Sequence, residues 1–271
     1  MKGRRSPRSR PSSDADDEFS SHAPFAMADA VSGPTGGPVV HAEGLGKAFG
    51  RAVVLRDLTV SVTAGEVVAL FGPNGAGKST LLRLLATLMT PTAGFLRLFG
   101  DAGSSLEVRR RIGLVAHQSF LYPDLTAREN LLFYAGMYGL EDAEARTDAW
   151  LERVALADAR ARPVRLFSRG MEQRLALARA LLHDPELILL DEPWSGLDAA
   201  STDWLDGLLL ELRSRRRTVV VATHDFQRGL GVATRALIIH RGRLAWETPI
   251  ASDALVTVDA MYRQITGAVA A

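Results

Sequence analysis

The amino-acid sequence predicts an α/β fold, in which short buried strands alternate with helices around one central sheet. Three observations support this prediction. A glycine-rich segment over residues 72–80 stands between a strand-like apolar run and a helix-like run. Short all-apolar runs, of which Leu187–Leu190 is one, are typical of strands that a parallel sheet buries on both faces. Between residues 119 and 182 helical spacing of the apolar residues dominates, which predicts a separate helical segment.

Length and composition indicate a protein with a sizeable core. The chain has 271 residues, of which 47% are hydrophobic, and its formal net charge is +1. Nothing in this charge suggests nucleic acid held by bulk positive charge, so we expect no nucleic-acid partner. The absence of cysteine excludes disulfides and cysteine-ligated zinc or iron–sulfur sites, and it suits a reducing cytoplasm. No apolar run reaches the roughly 18 residues that a spanning helix needs, so we do not expect the chain to cross a membrane itself.

Composition divides the chain into three regions. Residues 1–38 are rich in Ser, Pro, Gly and charge, which predicts a disordered N-terminal tail. Within it, the basic Met1–Arg10 is followed by the acidic Pro11–Glu18. A secretory signal would need an apolar stretch at that place, so we do not expect export. Met27 is an alternative initiator. We predict a globular domain over residues 39–250, with a helical subdomain at about 119–182, and a short C-terminal extension over 251–271.

Periodicity predicts the strands and helices of the domain. Val39–Glu43 and Leu58–Val62 alternate as strands of an antiparallel sheet do. A capping box from Thr126 to Glu129 predicts the start of a helix. Two more helices are expected over Asp142–Val154 and Glu172–Leu182, and further strands over Val67–Phe71, Phe95–Phe99, Arg111–Val115, Leu187–Leu190, Thr218–Ala222 and Ala236–Ile239.

The glycine-rich segment matches the P-loop pattern G-x-x-x-x-G-K-[ST] at every position. It reads Gly72, Pro73, Asn74, Gly75, Ala76, Gly77, Lys78, Ser79, Thr80. In such a loop the glycines let backbone N–H groups surround phosphate oxygens, Lys78 reaches the β- and γ-phosphates, and the Ser79 hydroxyl can hold Mg²⁺. The helix that follows points its positive end at the phosphates. Only 3 of the 32 basic residues are lysines. The alternative, that one of these few lysines stands at position 78 by chance, is therefore weak. We predict nucleotide binding.

Two carboxylates, Asp191 and Glu192, follow the buried run Leu187–Leu190. Open α/β sheets bind ligands at the carboxyl ends of their strands. Asp191 can hold Mg²⁺ through water there, and Glu192 can orient or deprotonate an attacking water. The alternative interpretation is a helix N-cap pair before Pro193.

Three further polar residues are candidates for the same site. His224 follows the strand Thr218–Ala222 and can donate to a γ-phosphate, although a surface position explains it equally well. Gln118 follows the strand Arg111–Val115, from where its amide can reach a Mg²⁺-bound water. Ser168 opens the third helix, either as an N-cap or as part of an anion site at the helix N-terminus.

Taken in order, these segments resemble the nucleotide-binding subunit of ABC transporters over roughly residues 39–245. Phe49 stands at the adenine-stacking aromatic, Gly72–Thr80 at Walker A, Gln118 at the Q-loop, Ser168–Gln173 at the signature, Leu187–Glu192 at Walker B, Ser195–Asp198 at the D-loop and His224 at the switch histidine. The resemblance implies a P-loop NTPase core of the RecA-like type with an antiparallel β subdomain and a helical signature subdomain. It also implies ATP hydrolysis with Glu192, His224 and Gln118 as catalytic residues, and Mg²⁺ held by Ser79, Gln118 and Asp191.

The same resemblance implies partners and a location. A second ATP-binding subunit, identical to the first, would form a head-to-tail dimer. Each nucleotide would lie between Walker A of one subunit and Ser168 and Gly170 of the other, with Asp198 also at the ATP. The segment around Tyr122–Asp124 would press on a separate transmembrane permease subunit. The chain would then be peripheral, at the cytoplasmic face of the plasma (inner) membrane.

Arg169 departs from the family pattern, which has two glycines after the signature serine, and Met171 replaces the usual glutamine. Arg169 either adds charge that faces the nucleotide or points to solvent. The finer resemblance, carried by Ala116–Asn130 and Phe167–Met171, is to the CcmA-type haem-exporter ATPases of cytochrome c maturation. Exporters of drugs, polysaccharides or lipids are the alternative. A non-transport ABC ATPase of DNA repair or translation is a second alternative. The compact segment from Gln118 to Ser168 disfavours DNA repair, and a length of 271 residues, which holds one such domain where translation factors carry two, disfavours translation.

Overall fold

The computed structural model describes residues 37–103, 105–251 and 254–267. The predicted tail therefore lies almost wholly outside the described residues. The strands are β1 (Val40–Phe49), β2 (Ala52–Val62), β3 (Val67–Phe71), β4 (Ala93–Leu98), β5 (Ile112–Val115), β6 (Leu187–Asp191), β7 (Thr218–Ala222), β8 (Arg235–His240) and β9 (Arg243–Pro249). The α-helices are α1 (Lys78–Leu85), α2 (Leu106–Arg110), α3 (Ala127–Tyr138), α4 (Ala143–Arg153), α5 (Arg169–Leu181), α6 (Ala199–Ser214), α7 (Phe226–Val232) and α8 (Ala254–Thr266), with a short 3-10 helix at Val164–Leu166.

Two sheets make up the domain, as predicted from the two kinds of strand pattern. The smaller sheet has the order β2-β1-β4 and is antiparallel. The larger has the order β5-β6-β7-β3-β8-β9 and is parallel except for its last pair. Within it Ala222 is the register partner of both Leu70 and Asp191. The loops that leave β3, β6 and β7 therefore emerge side by side at one edge of the sheet.

The inner strands β3, β6 and β7 are buried on both faces of the central sheet because nearly all of their side chains are apolar. Along β3, Val67, Ala69 and Phe71 pack into one hydrophobic cluster, while Val68 and Leu70 pack into another on the opposite face. All five side chains are fully buried. This arrangement explains why these strands read as continuous apolar runs and not as alternating ones.

The helical segment between β5 and β6 holds α3, α4 and α5. The predicted capping box begins α3: the Thr126 side chain accepts from the Glu129 backbone, and the Glu129 carboxylate accepts from the Thr126 backbone. The last helix of the segment, α5, packs directly on the core sheet. A Cβ atom added to Gly113 in β5 would lie 2.4 Å from the carbonyl oxygen of Ala180 in α5. Glycine at 113 thus permits a backbone-to-backbone contact that any side chain would prevent.

The structure differs from the sequence predictions mainly at the ends of elements. The helix predicted to begin at Glu172 begins at Arg169, because Ser168 caps it. The predicted strand Val39–Glu43 continues to Phe49, and α2, α6, α7, α8 and β9 had no counterpart among the predictions. Helix α8 lies within the predicted C-terminal extension and buries Ala254 and Val258. Among the described residues no helix is long and apolar enough to span a membrane.

Candidate nucleotide-binding site

The P-loop connects β3 to α1 through backbone positions that require glycine. A Cβ at Gly72 would lie 2.3 Å from the Ile239 carbonyl oxygen, so the loop leaves the sheet in close contact with β8. Gly77 precedes α1 with φ 108°, a conformation that side-chain-bearing residues rarely adopt. The first turn of α1 contains no acidic residue. Its free N–H groups therefore make an electropositive helix end at the edge of the sheet.

Lys78 stands inside this loop with only 7% of its surface exposed. Its Nζ donates to the Gly72 carbonyl oxygen at 2.6 Å, and the Pro73 carbonyl oxygen is 3.5 Å away. Burial lowers the pKa of the ammonium, and the charges of Glu192 and Asp191 partly oppose that shift. No carboxylate of the described chain lies within ion-pair distance of Lys78. A buried cation that is paired only with backbone carbonyls is suited to receive an anion, as a phosphate would be.

The rest of the P-loop lies around this cation. Asn74 and Gly75 are exposed at the tip, whereas Ala76 is buried and its N–H donates to the Pro73 carbonyl oxygen at 3.1 Å. Ser79 and Thr80 are partly buried in the first turn of α1. Both hydroxyls are thus placed at the helix end that faces the loop.

Asp191 and Glu192 differ in burial and in backbone conformation. Asp191 ends β6 and is 8% exposed. Glu192 adopts φ 51°, which is uncommon for a residue other than glycine, and its N–H donates to the Ala222 carbonyl oxygen at 2.8 Å. The alternative of an N-cap pair does not describe them, because the next helix begins at Ala199 with Asp198 as its cap. Both carboxylates face the sheet edge beside the P-loop.

His224 and Glu192 are brought into contact across β6 and β7. The Nδ1 of His224 donates to Glu192 Oε2 at 2.8 Å, and the His224 backbone N–H lies 3.4 Å from the same oxygen. The histidine side chain is otherwise 77% exposed, while that of Glu192 is 28% exposed. The ring is therefore held at one nitrogen and open at the other.

Gln118 is exposed on the loop after β5. Asp191 and Glu192 line a small cavity of about 100 Å³. The two residues that flank Gln118 in the sequence, His117 and Ser119, line it as well, but Gln118 does not. The oxygen atoms of Ser79 and Asp191 are ligands of the type that Mg²⁺ prefers. These residues fit such an ion, and the contribution of Gln118 to it stays a prediction.

The signature segment caps its own helix. Ser168 Oγ accepts from the Met171 backbone N–H at 3.3 Å, as the N-cap interpretation expects, and Ser168 itself is exposed. Gly170 is partly buried, with open space where a Cβ would lie. Arg169 lines the cavity of Asp191 and Glu192, and its Nε lies 3.7 Å from the position of a Cβ on Gly196. The arginine is thus next to the D-loop of its own chain.

Two predicted nucleotide contacts have other local partners. Asp198 caps α6, where its Oδ1 accepts from the Ser201 N–H at 2.8 Å, and the hydrogen bonds with Ser201 lower the pKa of this carboxylate. Phe49 ends β1 with 47% of its surface exposed, and the Lys47 ammonium lies 5.2 Å from its ring centroid. An exposed aromatic ring of this kind can stack on a base.

Contacts between distant segments tie the signature helix to the site, and sequence reasoning missed them. Ser119 Oγ donates to Glu172 Oε1 at 2.6 Å, which joins the Q-loop segment to α5. Gln173 Nε2 donates to the Pro193 carbonyl oxygen at 3.1 Å, which joins α5 to the loop after Glu192. No spacing in the sequence indicates either pair, because each connects residues from two separate motifs.

Comparison with known proteins agrees with this arrangement. The sequence profile of the ABC transporter family matches residues 55–195, just over half of the chain. The chain belongs to the ABC transporter family. Its domain matches solved ATP-binding cassettes of that family and has the α/β fold that the sequence predicted.

The ABC cassette resembles named proteins over most of its length. It is 37% identical over 263 residues to the phosphonates import ATP-binding protein PhnC of Anaeromyxobacter dehalogenans, which covers 90% of this chain and 52% of that protein. It is 35% identical over 203 residues to the ABC transporter ATP-binding protein NatA of Bacillus subtilis, covering 73% and 82%. The chain thus spans about half the length of the first relative. The solved dimeric post-hydrolysis state of the ATP-binding cassette MJ0796, bound to ADP and Pi, matches with a TM-score of 0.71 and 29% identity, covering 79% of this chain and 99% of that one.

Proposed function

We propose that this chain is the ATP-hydrolysing subunit of a transporter and energises substrate movement through a separate membrane subunit. One observation carries the proposal: the buried Lys78, the carboxylates Asp191 and Glu192, and His224 leave three neighbouring strands at the same sheet edge. Phosphoryl transfer needs positioning and charge neutralisation more than covalent chemistry, and this group of residues supplies both.

The proposed roles follow from the burial and contacts of each residue. The backbone of residues 72–80 surrounds the phosphates, and the enclosed Lys78 ammonium binds the β- and γ-oxygens. Ser79, Asp191 and Gln118 hold Mg²⁺, which neutralises phosphate charge when bound. Glu192 accepts a proton from the attacking water or orients it, and His224, held at Nδ1 by Glu192, directs its other ring nitrogen outward. Phe49 stacks on the base.

A second copy of the chain completes each site in this proposal. The exposed Ser168 lies at the N-terminus of α5, a 13-residue helix. Gly170 leaves open space beside it, so a phosphate of a facing subunit can approach the backbone. Asp198, which we propose also reaches the ATP, caps α6 two residues after Gly196, and Gly196 lies beside Arg169. The solved relative bound to ADP and Pi is dimeric, which supports a two-fold arrangement with equivalent sites.

The proposed membrane partner docks beside the helical segment. An open cleft of about 590 Å³ lies between the α1–α2 side of the core and helices α3 and α5. Its rim exposes Leu88, Leu106 and Met137. Arg179 lines it, 7% exposed, with its guanidinium over the rings of Phe120 and Tyr134. The neighbouring segment Tyr122–Asp124 is exposed.

The positive charge of the cleft indicates which kind of partner segment it binds. Arg179 Nη2 donates to the Leu114 carbonyl oxygen, whereas its Nε has no hydrogen-bond partner. None of the described residues that line the cleft is acidic, and Arg109 and Arg110 also line it. An apolar segment of the permease that carries one carboxylate fits this cleft. Such docking places the chain peripherally at the cytoplasmic face of the plasma (inner) membrane.

The finer proposal is export, with haem export in cytochrome c biogenesis as the specific case. It is supported by the resemblance of Ala116–Asn130 and Phe167–Met171 to the haem-exporter ATPases. An exporter of drugs, polysaccharides or lipids is the alternative. Import is the competing direction, because the phosphonate relative is named as an import protein.

Affinity purification of the tagged chain from membranes tests the proposal. We expect a multi-spanning membrane protein to co-purify, and ATP hydrolysis to depend on Lys78 and Glu192. Met137→Glu places a negative charge at the rim of the cleft and should abolish co-purification. Leu210→Glu is the matched control: Leu210 is 47% exposed on α6, and this variant should still co-purify with the membrane protein.

Two other outcomes separate the alternative functions. Hydrolysis without any membrane partner would favour a non-transport ATPase, and loss of c-type cytochromes on deletion would support haem export.

A further inference from the structure

A buried tryptophan follows the carboxylate Glu192 by two residues. Trp194 is 8% exposed, and its Nε1–H donates to Asp206 Oδ1 in α6 at 2.7 Å. The loop folds back around it: the Ser195 N–H donates to the Glu192 carbonyl oxygen at 3.0 Å, and the Leu197 N–H lies 3.2 Å from the Trp194 carbonyl oxygen. Trp194 therefore anchors the loop that carries Glu192 to helix α6.

The second carboxylate oxygen of Asp206 binds a different helix. Asp206 Oδ2 accepts from Arg228 Nη1 in α7 at 2.6 Å. Arg228 in turn contacts Asp225, the N-cap of α7: its backbone N–H donates to Asp225 Oδ1 at 3.0 Å, and its Nε is 3.5 Å from Asp225 Oδ2. Asp225 is the residue that follows His224. The Asp206 carboxylate is thus shared between the loop of Glu192 and the helix of His224.

Glu192 and His224 are consequently joined by two paths. One is the direct 2.8 Å hydrogen bond, which involves a histidine side chain that is 77% exposed. The other runs from Trp194 through Asp206 and Arg228 to Asp225. Its hydrogen bonds are charge-assisted, and one end is fixed in the core by the indole. An exposed hydrogen bond alone holds a side chain weakly in water, so the second path limits how far the two loops separate.

We propose that Asp206 is a positioning residue that sets the place of His224 relative to Glu192. The inference rests on the proposed roles of Glu192 and His224 in ATP hydrolysis. Asp206 acts through the two loops and touches no reacting atom. Its loss leaves the P-loop unchanged, so ATP binding persists while turnover falls, because a small displacement of a reacting group has a large effect on rate.

The test compares Asp206→Asn with Asp203→Asn, an exposed carboxylate on the same helix that takes no part in these contacts. For Asp206→Asn we expect kcat to fall about tenfold, with the KM for ATP within about twofold of wild type. Asp203→Asn should keep the wild-type kcat. Trp194→Phe and Arg228→Gln test the same path from its two ends, and they replace Asp206→Asn if that variant does not fold.

Combination with His224→Ala separates positioning from general destabilisation. If Asp206 acts through His224, Asp206→Asn causes no further loss of kcat in the His224→Ala background. An equal fold-loss in both backgrounds would overturn the inference, as would a wild-type kcat for folded Asp206→Asn. If His224→Ala and Glu192→Gln themselves leave turnover unchanged, the proposed function fails instead. The two failures are therefore distinguishable.

Discussion

His224 Nδ1 and Glu192 Oε2 are 2.8 Å apart, so the imidazole is the donor and the carboxylate the acceptor of one hydrogen bond. A carboxylate only accepts, so Nδ1 carries a proton. The bond also uses the positive φ of Glu192, which turns its side chain from β6 toward the loop after β7. A single non-glycine residue in a glycine-favoured conformation thus brings two motifs together.

Glu192→Gln should slow ATP hydrolysis by about 100-fold or more while ATP binding is retained. The amide removes the proton acceptor but keeps the size of the side chain. Size-exclusion chromatography with ATP should show an accumulated dimer, and a coupled assay gives the turnover. Glu152→Gln, on the exposed side of α4, is the control and should match wild type. Unchanged turnover in Glu192→Gln would remove this residue from the role of base.

Lys78→Arg should weaken ATP binding by at least about tenfold although the positive charge is kept. The ammonium occupies an enclosed position 2.6 Å from the Gly72 carbonyl oxygen, where a planar guanidinium does not fit. Arg83→Lys, the reverse exchange at an exposed position of α1, is the matched control. Equilibrium binding of a fluorescent ATP analogue measures the effect, and wild-type affinity in Lys78→Arg would contradict the assigned role.

Arg169→Gly should raise the KM for ATP, because it removes a cation from a helix N-terminus that is already suited to anions. Arg169→Lys keeps the charge and should recover part of the loss. An unchanged KM with intact turnover would mean that the arginine only packs against Gly196. Ser168→Ala is the companion variant and should reduce both activity and ATP-driven dimerisation. If it leaves both at wild-type levels, the head-to-tail arrangement loses its main support.

His183 should make the stability of the domain fall in weak acid. Its ring stacks on Tyr138 with centroids 3.8 Å apart, its Nε2 donates to the Ile112 carbonyl oxygen, and its Nδ1 has no partner. Burial lowers the pKa of His183 from 6.5 to about 4. The unfolded chain therefore binds the proton first, and stability that is complete above pH 6.5 is lost as the pH falls toward 4.

The expected loss between pH 7.5 and pH 5 is about 2 kcal/mol, taken from that shift. His183→Gln keeps a donor for the Ile112 carbonyl and has no proton to gain, so its stability should fall less over the same range. Urea unfolding at both pH values measures the difference. Parallel curves for the wild type and His183→Gln would show that the ring is accessible to protons in the folded state.

Patterns confined to one element could be predicted from the sequence, and contacts between elements could not. The P-loop and the Thr126 capping box are local, because a few adjacent residues determine the conformation. The buried strand Leu187–Leu190 was also evident from its apolar run. The bond from Trp194 to Asp206 and the position of Arg169 beside Gly196 depend on how separate segments pack. Strand β9 was missed because its alternating, half-exposed pattern depends on pairing with β8.

The close approach of Gly113 and Ala180 fixes the C-terminal end of α5 against β5 backbone to backbone, whereas its N-terminal end is held through the side chains of Glu172 and Gln173. Ala180 lies near the last turn of the helix, and Ser168 precedes its first residue, about 18 Å away along the axis. With the backbone fixed against β5, a rotation of α5 by about 10° would move Ser168 by about 3 Å over that length. The fixed end lies on the sheet that carries Asp191, and the moving end carries the residue proposed to meet the nucleotide of another subunit. Such a rotation of the helical segment would therefore be largest where two copies would meet.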